Sequence, residues 1–157
     1  KVGLVRNQTD WMIDILTDPD QTAVVVVTAP EEMPVSETLE LVERLGDETD
    51  IEIASVVVNR VLPELFARSD EEIFERVRKP DAMAALAARV GDGIGAVMDG
   101  AELAVSLRRS RVRHLTRLRD GLPPGLPVLN LPYLFTRSHG VRATAKIAEA
   151  LGEELGF

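Results

Sequence analysis

Thr22-Ala-Val-Val-Val-Val-Thr28 and, further on, Ile53-Ala-Ser-Val-Val-Val-Asn59 decide the fold of this chain. Both are β-branched runs with no polar alternation, the pattern of a strand buried on both faces of a parallel sheet. Ala29 and Pro30 end the first run, because proline offers no amide to a ladder and restricts the residue before it. Between the runs, Val35, Leu39, Val42 and Leu45 recur at spacings of four and three, with Gly46 as a stop. The acidic residues 47–50 read as an exposed loop. Strand, helix and strand make a β-α-β unit with a right-handed crossover.

Working outward, residues 9–16 place Trp11, Met12, Ile15 and Leu16 at helical spacing, a short amphipathic helix. Ser69 with Glu72 reads as a capping box that opens a helix through Arg78, and Lys79 and Pro80 close it. Residues 81–89 are helical again. Gly91, Gly93, Gly95 and Gly100 predict a mobile connection or a broken helix. A long helix over 101–119 follows, with Leu103, Leu107, Leu115 and Leu118 as its buried side. Pro127-Val-Leu-Asn-Leu131 is a third short strand, 132–140 a loop, and 141–155 a last helix carrying Ile147, Leu151 and Leu155 on one face. The alternation predicts an α/β class, three layers with parallel strands in the middle. Three strands cannot cover runs as apolar as 24–27 and 56–58, so the sequence reads as part of a larger sheet with one apolar face uncovered.

The 157 residues suit a single α/β domain over 1–157, and 45% hydrophobic against 28% charged residues suits a packed core. The absence of cysteine excludes thiolate metal clusters, disulfides and cysteine nucleophiles. A net charge of −8 argues against general binding to nucleic acid or anionic membranes. The charge is uneven, with 21 acids and 9 bases in residues 1–100 and 5 acids and 9 bases in 101–157. The apolar runs are too short to span a bilayer and no signal-peptide pattern opens the chain, so a cytoplasmic location is expected.

No G-x-x-x-x-G-K-[ST] loop occurs, and Gly91, Gly93 and Gly95 neither follow a strand nor precede a lysine. There is no H-E-x-x-H and no G-x-S-x-G, and His114 and His139 stand far apart without a carboxylate set, so no metal site is expected. Ser138 and His139 are adjacent, but a triad needs convergence in space. The positive signals are three loops, 28–35, 59–63 and 132–140, that leave the carboxyl ends of the strands and share one rim, the edge where open α/β sheets hold ligands. Asn59 at that rim either starts a turn or offers an amide whose donor and acceptor match the polar edge of adenine. Arg108, Arg109, Arg111, Arg113, Arg117 and Arg119 share one helix with His114, and form either a solvated face or a site for an acidic partner or phosphate. Trp11 and Tyr133 read first as packing residues.

Residues 22–38, then Ile53-Ala-Ser-Val-Val-Val-Asn-Arg-Val-Leu-Pro63, then Val128-Leu-Asn-Leu-Pro-Tyr-Leu-Phe-Thr-Arg-Ser-His-Gly140 resemble, in order and spacing, the C-terminal half of the arsenite-pump and tail-anchored-protein-targeting ATPases. The resemblance implies a deviant-Walker P-loop NTPase fold and a dimer that closes around ATP with Mg2+. It makes Asn59 the adenine-recognising asparagine. Pro132, Tyr133, Leu134 and Phe135 fall in the loop that packs on adenine and ribose, and Pro30 and Glu31 in the dimer-side rim. The phosphate-binding loop, the switch aspartates and most client-binding helices of that family correspond to sequence upstream of Lys1, so no catalytic residue is expected here. The family's zinc-binding C-x-x-C is absent. The implied function is the adenine-binding half of an ATPase that drives anion export or protein targeting. Its partners would be a second copy or the missing N-terminal half, and a membrane protein through the intact enzyme, with neither nucleic acid nor zinc. The alternative is a non-catalytic α/β interaction module.

Overall fold

The computed structural model of the chain describes residues 3–64, 68–91, 93–136 and 140–157. Its elements are α1 (Gly3–Thr17), β1 (Val24–Thr28), α2 (Glu32–Glu48), β2 (Ile53–Val61), α3 (Arg68–Val77), α4 (Pro80–Val90), α5 (Ile94–Gly121), β3 (Val128–Pro132) and α6 (Val141–Leu155). They form two compact units, one of residues 1–61 with 114–157 and one of residues 62–113.

The first unit holds a parallel sheet in the order β1-β2-β3, with Val26 opposite Val56, and Val58 opposite Asn130. With flanking helices this is the three-layer α/β arrangement the sequence predicts. Side chains alternate across a strand, so Val26, Val56 and Val58 point to one face. There they meet Val35 and Val42 of α2 and Leu118 and Leu122 from the end of α5 and just beyond it. Pro34 sits in the first turn of α2, where a missing amide leaves no helical bond unmade, and the next amide, of Val35, donates to the Glu31 carbonyl at 3.1 Å. Helix α6 packs against β3. On the outer edge of β3 the Asn130 amide donates to the Glu154 carboxylate at 2.9 Å, which blunts that edge against pairing with another strand.

At β1 the sheet face opposite the core is open. On β1, Val25 and Val27 are 52% and 64% exposed, and Trp11, Met12 and Leu16 of α1 are exposed as well. The apolar surface expected from a partial sheet is therefore present, and α1 does not bury its own apolar stripe among the described residues.

Three local expectations change. Helix α2 continues through Gly46 to Glu48, because Gly46 keeps a helical φ and Arg44 ties the last turn to Glu48 at 3.1 Å. The stop is Thr49, whose amide and hydroxyl both donate to the Leu45 carbonyl. The glycine-rich stretch breaks the helix only around Gly91, which has a φ of 91°. Gly95 and Gly100 lie inside α5, where each costs about 1 kcal/mol, a load a 28-residue helix carries. Of the expected buried side of that helix, Leu118 is fully buried and Leu115 partly so, while Leu103 and Leu107 are 60% and 43% exposed. The difference is one of surroundings. Leu115 and Leu118 belong to the unit with the sheet and reach its valines, and Leu103 and Leu107 belong to the helical unit, which has no sheet.

The helical unit comprises α3, α4 and the first part of α5. Arg78 makes a two-pronged pair with Glu102 at 2.7 and 2.6 Å and lies over the Phe74 ring. Arg108 donates to the Leu62 carbonyl and stands 3.9 Å from Glu64. One arginine of the basic run is thus occupied within its own unit, which is neither of the two roles the sequence offers for it. The capping side chain expected of Ser69 lies outside the described residues.

Leu118→Ala is expected to lower unfolding free energy by about 2–5 kcal/mol, because it leaves a cavity under the sheet. Val25→Thr, on the exposed face, should change it by less than about 0.5 kcal/mol. Urea unfolding of the two variants checks the contrast.

Candidate functional site

The carboxyl ends of β2 and β3 build one site from two stretches of chain. Along β2 the ladder to β3 is regular up to Val58 opposite Asn130, then shifts register before Val61 meets Pro132. Asn59 and Arg60 are the residues that this shift releases. Arg60 has a φ of 62°, the one positive value at a non-glycine among the described residues. That left-handed conformation costs roughly 1–2 kcal/mol for a residue with a Cβ, and strain of this kind concentrates at functional positions. Part of the cost is offset locally, because the Arg60 amide donates to Oδ1 of Asn59 at 2.8 Å.

This hydrogen bond puts Asn59 in the local contact that a turn former makes and leaves both sequence readings of it open. Its side-chain oxygen forms a local turn contact, and among the described residues one lone pair of Oδ1 and both hydrogens of the side-chain nitrogen remain to be used. Asn59 is half-buried. The amide can accept from an exocyclic amino group while donating to a ring nitrogen, which is the polar edge of adenine.

Past the register shift the two strands rejoin. The Tyr133 amide donates to the Val61 carbonyl at 2.8 Å, so the strand pairing continues one residue beyond β3 and fixes the start of the following loop. This anchor brings Tyr133 to Arg60, whose guanidinium carbon lies 5.5 Å from the ring centroid. Phe135 follows, its ring centroid 4.9 Å from that of Tyr133 with the planes tilted by 59°. Phe135 is 70% exposed, Tyr133, Leu134 and Pro132 half-buried. The structure therefore brings Tyr133 and Phe135 into one aromatic group beside the residue that holds Asn59.

At the end of β1, Pro30 is fully buried and the Glu31 amide donates to the Ala29 carbonyl at 2.8 Å, a tight turn into α2. Of the two rim residues only Glu31 is exposed. Ser138 and His139, and the remainder of the loop up to Gly140, lie outside the described residues. No group of three or more His, Cys, Asp or Glu side chains among the described residues could hold a metal ion. No described helix is long and apolar enough to cross a membrane.

The conformation and ring contact of Arg60 were not legible in the sequence. Its left-handed backbone arises from the register shift between β2 and β3, and its aromatic partner lies far along the chain. The only local signal is an arginine directly after the strand-ending asparagine.

A family model described as anion-transporting ATPase matches residues 4–85, just over half of the chain and including Asn59. ATPase BagA of Mycobacterium tuberculosis (strain ATCC 25618 / H37Rv) is 41% identical over 63 residues, 40% of this chain and 18% of that protein. "Putative ATPase Mb3704" of Mycobacterium bovis (strain ATCC BAA-935 / AF2122/97) matches with the same identity over the same shares. The match thus spans less than a fifth of the length of these relatives.

Arg60→Val is expected to be about 1–2 kcal/mol less stable than Arg60→Gly, since a β-branched side chain is the worst and glycine the best at that φ. Equal urea midpoints for the two variants would show that the left-handed turn is not held in solution.

Proposed function

The chain belongs to the anion-transporting ATPase family, and on that premise we propose that the Asn59 and Tyr133 rim is the adenine end of its ATP site. The observation that carries this reading is the Asn59 amide, held by the Arg60 backbone at the carboxyl ends of parallel strands, with the Tyr133 and Phe135 rings in the adjoining loop. An amide edge beside aromatic rings fits a purine, whose rim hydrogen-bonds and whose faces stack. Asn59, Arg60 and Tyr133 offer no carboxylate for Mg2+, so no step is assigned to a metal here.

Phosphoryl transfer depends on backbone amides, a lysine and Mg2+ placed around the β- and γ-phosphates. Nothing in this sequence has the pattern of that loop. The chain's share of the reaction is accordingly to bind and orient the base, with the phosphate machinery supplied by the part of the family's domain that this sequence does not contain. The exposed Val25 and Val27 on β1 support this division, since they leave one face of the sheet open to a further packed layer. Dimer closure around nucleotide in the cytoplasm, and coupling to anion export or to the handling of hydrophobic protein segments, belong to the same proposal. They rest on the family resemblance.

Two measurements test the reading. Adenosine titrated into the chain and into Asn59→Ala should bind the variant more weakly by about 1–3 kcal/mol, the cost of leaving the polar edge of the base unpaired. Equal affinities would return Asn59 to a turn-forming role. The purified chain alone is expected to show no steady ATP turnover, and sustained hydrolysis that survives controls for contaminating ATPases would overturn the division of labour.

A further inference from the structure

Arg60 combines three properties that bear on a ligand. Its backbone is held in the left-handed region, its guanidinium lies 5.5 Å from the Tyr133 centroid, and the residue is exposed. A long cation on the surface ordinarily extends into water and leaves its backbone in a relaxed conformation. Here the strained turn at residue 60 sets the direction of the side chain, and the Tyr133 ring, fixed by its own amide bond to Val61, receives it. The guanidinium is flat and weakly hydrated, so it stacks on rings in a way that an ammonium does not. A base that reaches the Asn59 amide arrives beside this group, one residue away in the chain.

We propose that Arg60 is a base-stacking residue of the nucleotide site, its guanidinium and the Tyr133 ring together forming the platform on which a purine lies while Asn59 reads its edge. The inference rests on the adenine reading of Asn59 and adds a residue and an interaction to it. Stacking on a planar cation is insensitive to the phosphates, and this separates it from the other use of an arginine at a nucleotide site, charge attraction to the phosphate chain.

The test compares wild type, Arg60→Gly, Arg60→Lys and Asn59→Ala, each titrated with adenosine and with ATP and followed by NMR chemical-shift changes that register weak binding. Arg60→Gly keeps the turn, since glycine adopts a φ of 62° without strain, and a thermal melt confirms that the variant is folded. Stacking predicts that Arg60→Gly weakens adenosine and ATP by the same factor, roughly five- to tenfold, and that Arg60→Lys does not restore either, because the charge returns without the plane. Loss of ATP affinity alone, restored by Arg60→Lys, would overturn the proposal in favour of a phosphate contact. Unchanged affinity in both Arg60 variants while Asn59→Ala weakens binding would remove Arg60 from the site and leave the adenine reading standing. Failure of the wild-type chain to bind either ligand would overturn both.

Discussion

The structure depends on the packing of two alternating valines of β2, Val56 and Val58, into a layer made by Val26, Val35, Val42, Leu118 and Leu122. Both β2 residues are fully excluded from water, and β2 is the middle strand, so every other element of the sheet unit is placed by reference to it. A buried strand must also pair all its amides and carbonyls, which is why β1 and β3 lie on either side in parallel register. Apolar burial supplies the driving force, and the ladders decide where each strand ends.

That second effect is what makes a site. While the β2 and β3 ladders keep step, side chains alternate into the two layers and no residue is available for ligand. The register shift after Val58 ends this regime, and within two residues the chain gains a left-handed turn, a held amide side chain and a cation directed at an aromatic ring. Tyr133 then restores the pairing through Val61, so the irregular stretch is bounded on both sides by regular hydrogen bonds. Strand hydrogen bonds thus fix the backbone on either side of Asn59 and Arg60, an arrangement that suits base recognition, where the amide must be oriented before the ligand arrives.

Much of this was readable in the sequence because it depends on local pattern. The valine runs of β1 and β2 are continuous enough to announce buried parallel strands, and the apolar spacing of α2 announces the crossover. The exposure of Val25 and Val27 also follows from pattern, since a run apolar on both faces needs more cover than this chain possesses. Gly46 and the exposed Leu103 and Leu107 were misread for a common reason: propensity and periodicity report what a residue permits, and tertiary surroundings decide which option is taken. Gly46 permits a stop but sits in a turn secured by Arg44 and Glu48. Leu103 and Leu107 permit burial but belong to the helical unit, which has no sheet of its own. Asn59 and Tyr133 stand out through the family resemblance, whereas the left-handed backbone of Arg60 comes from a strand mismatch that no single segment encodes.

The central claim is that the rim formed by Asn59, Tyr133 and Phe135 receives an adenine ring. Intermolecular nuclear Overhauser effects between adenosine and the isotope-labelled chain test it most directly, because they locate the base itself. The account predicts contacts from the adenine H2 and H8 protons to the ring protons of Tyr133 and Phe135 and to the side-chain amide of Asn59. Contacts confined to another part of the chain, with none at these three residues, would contradict it.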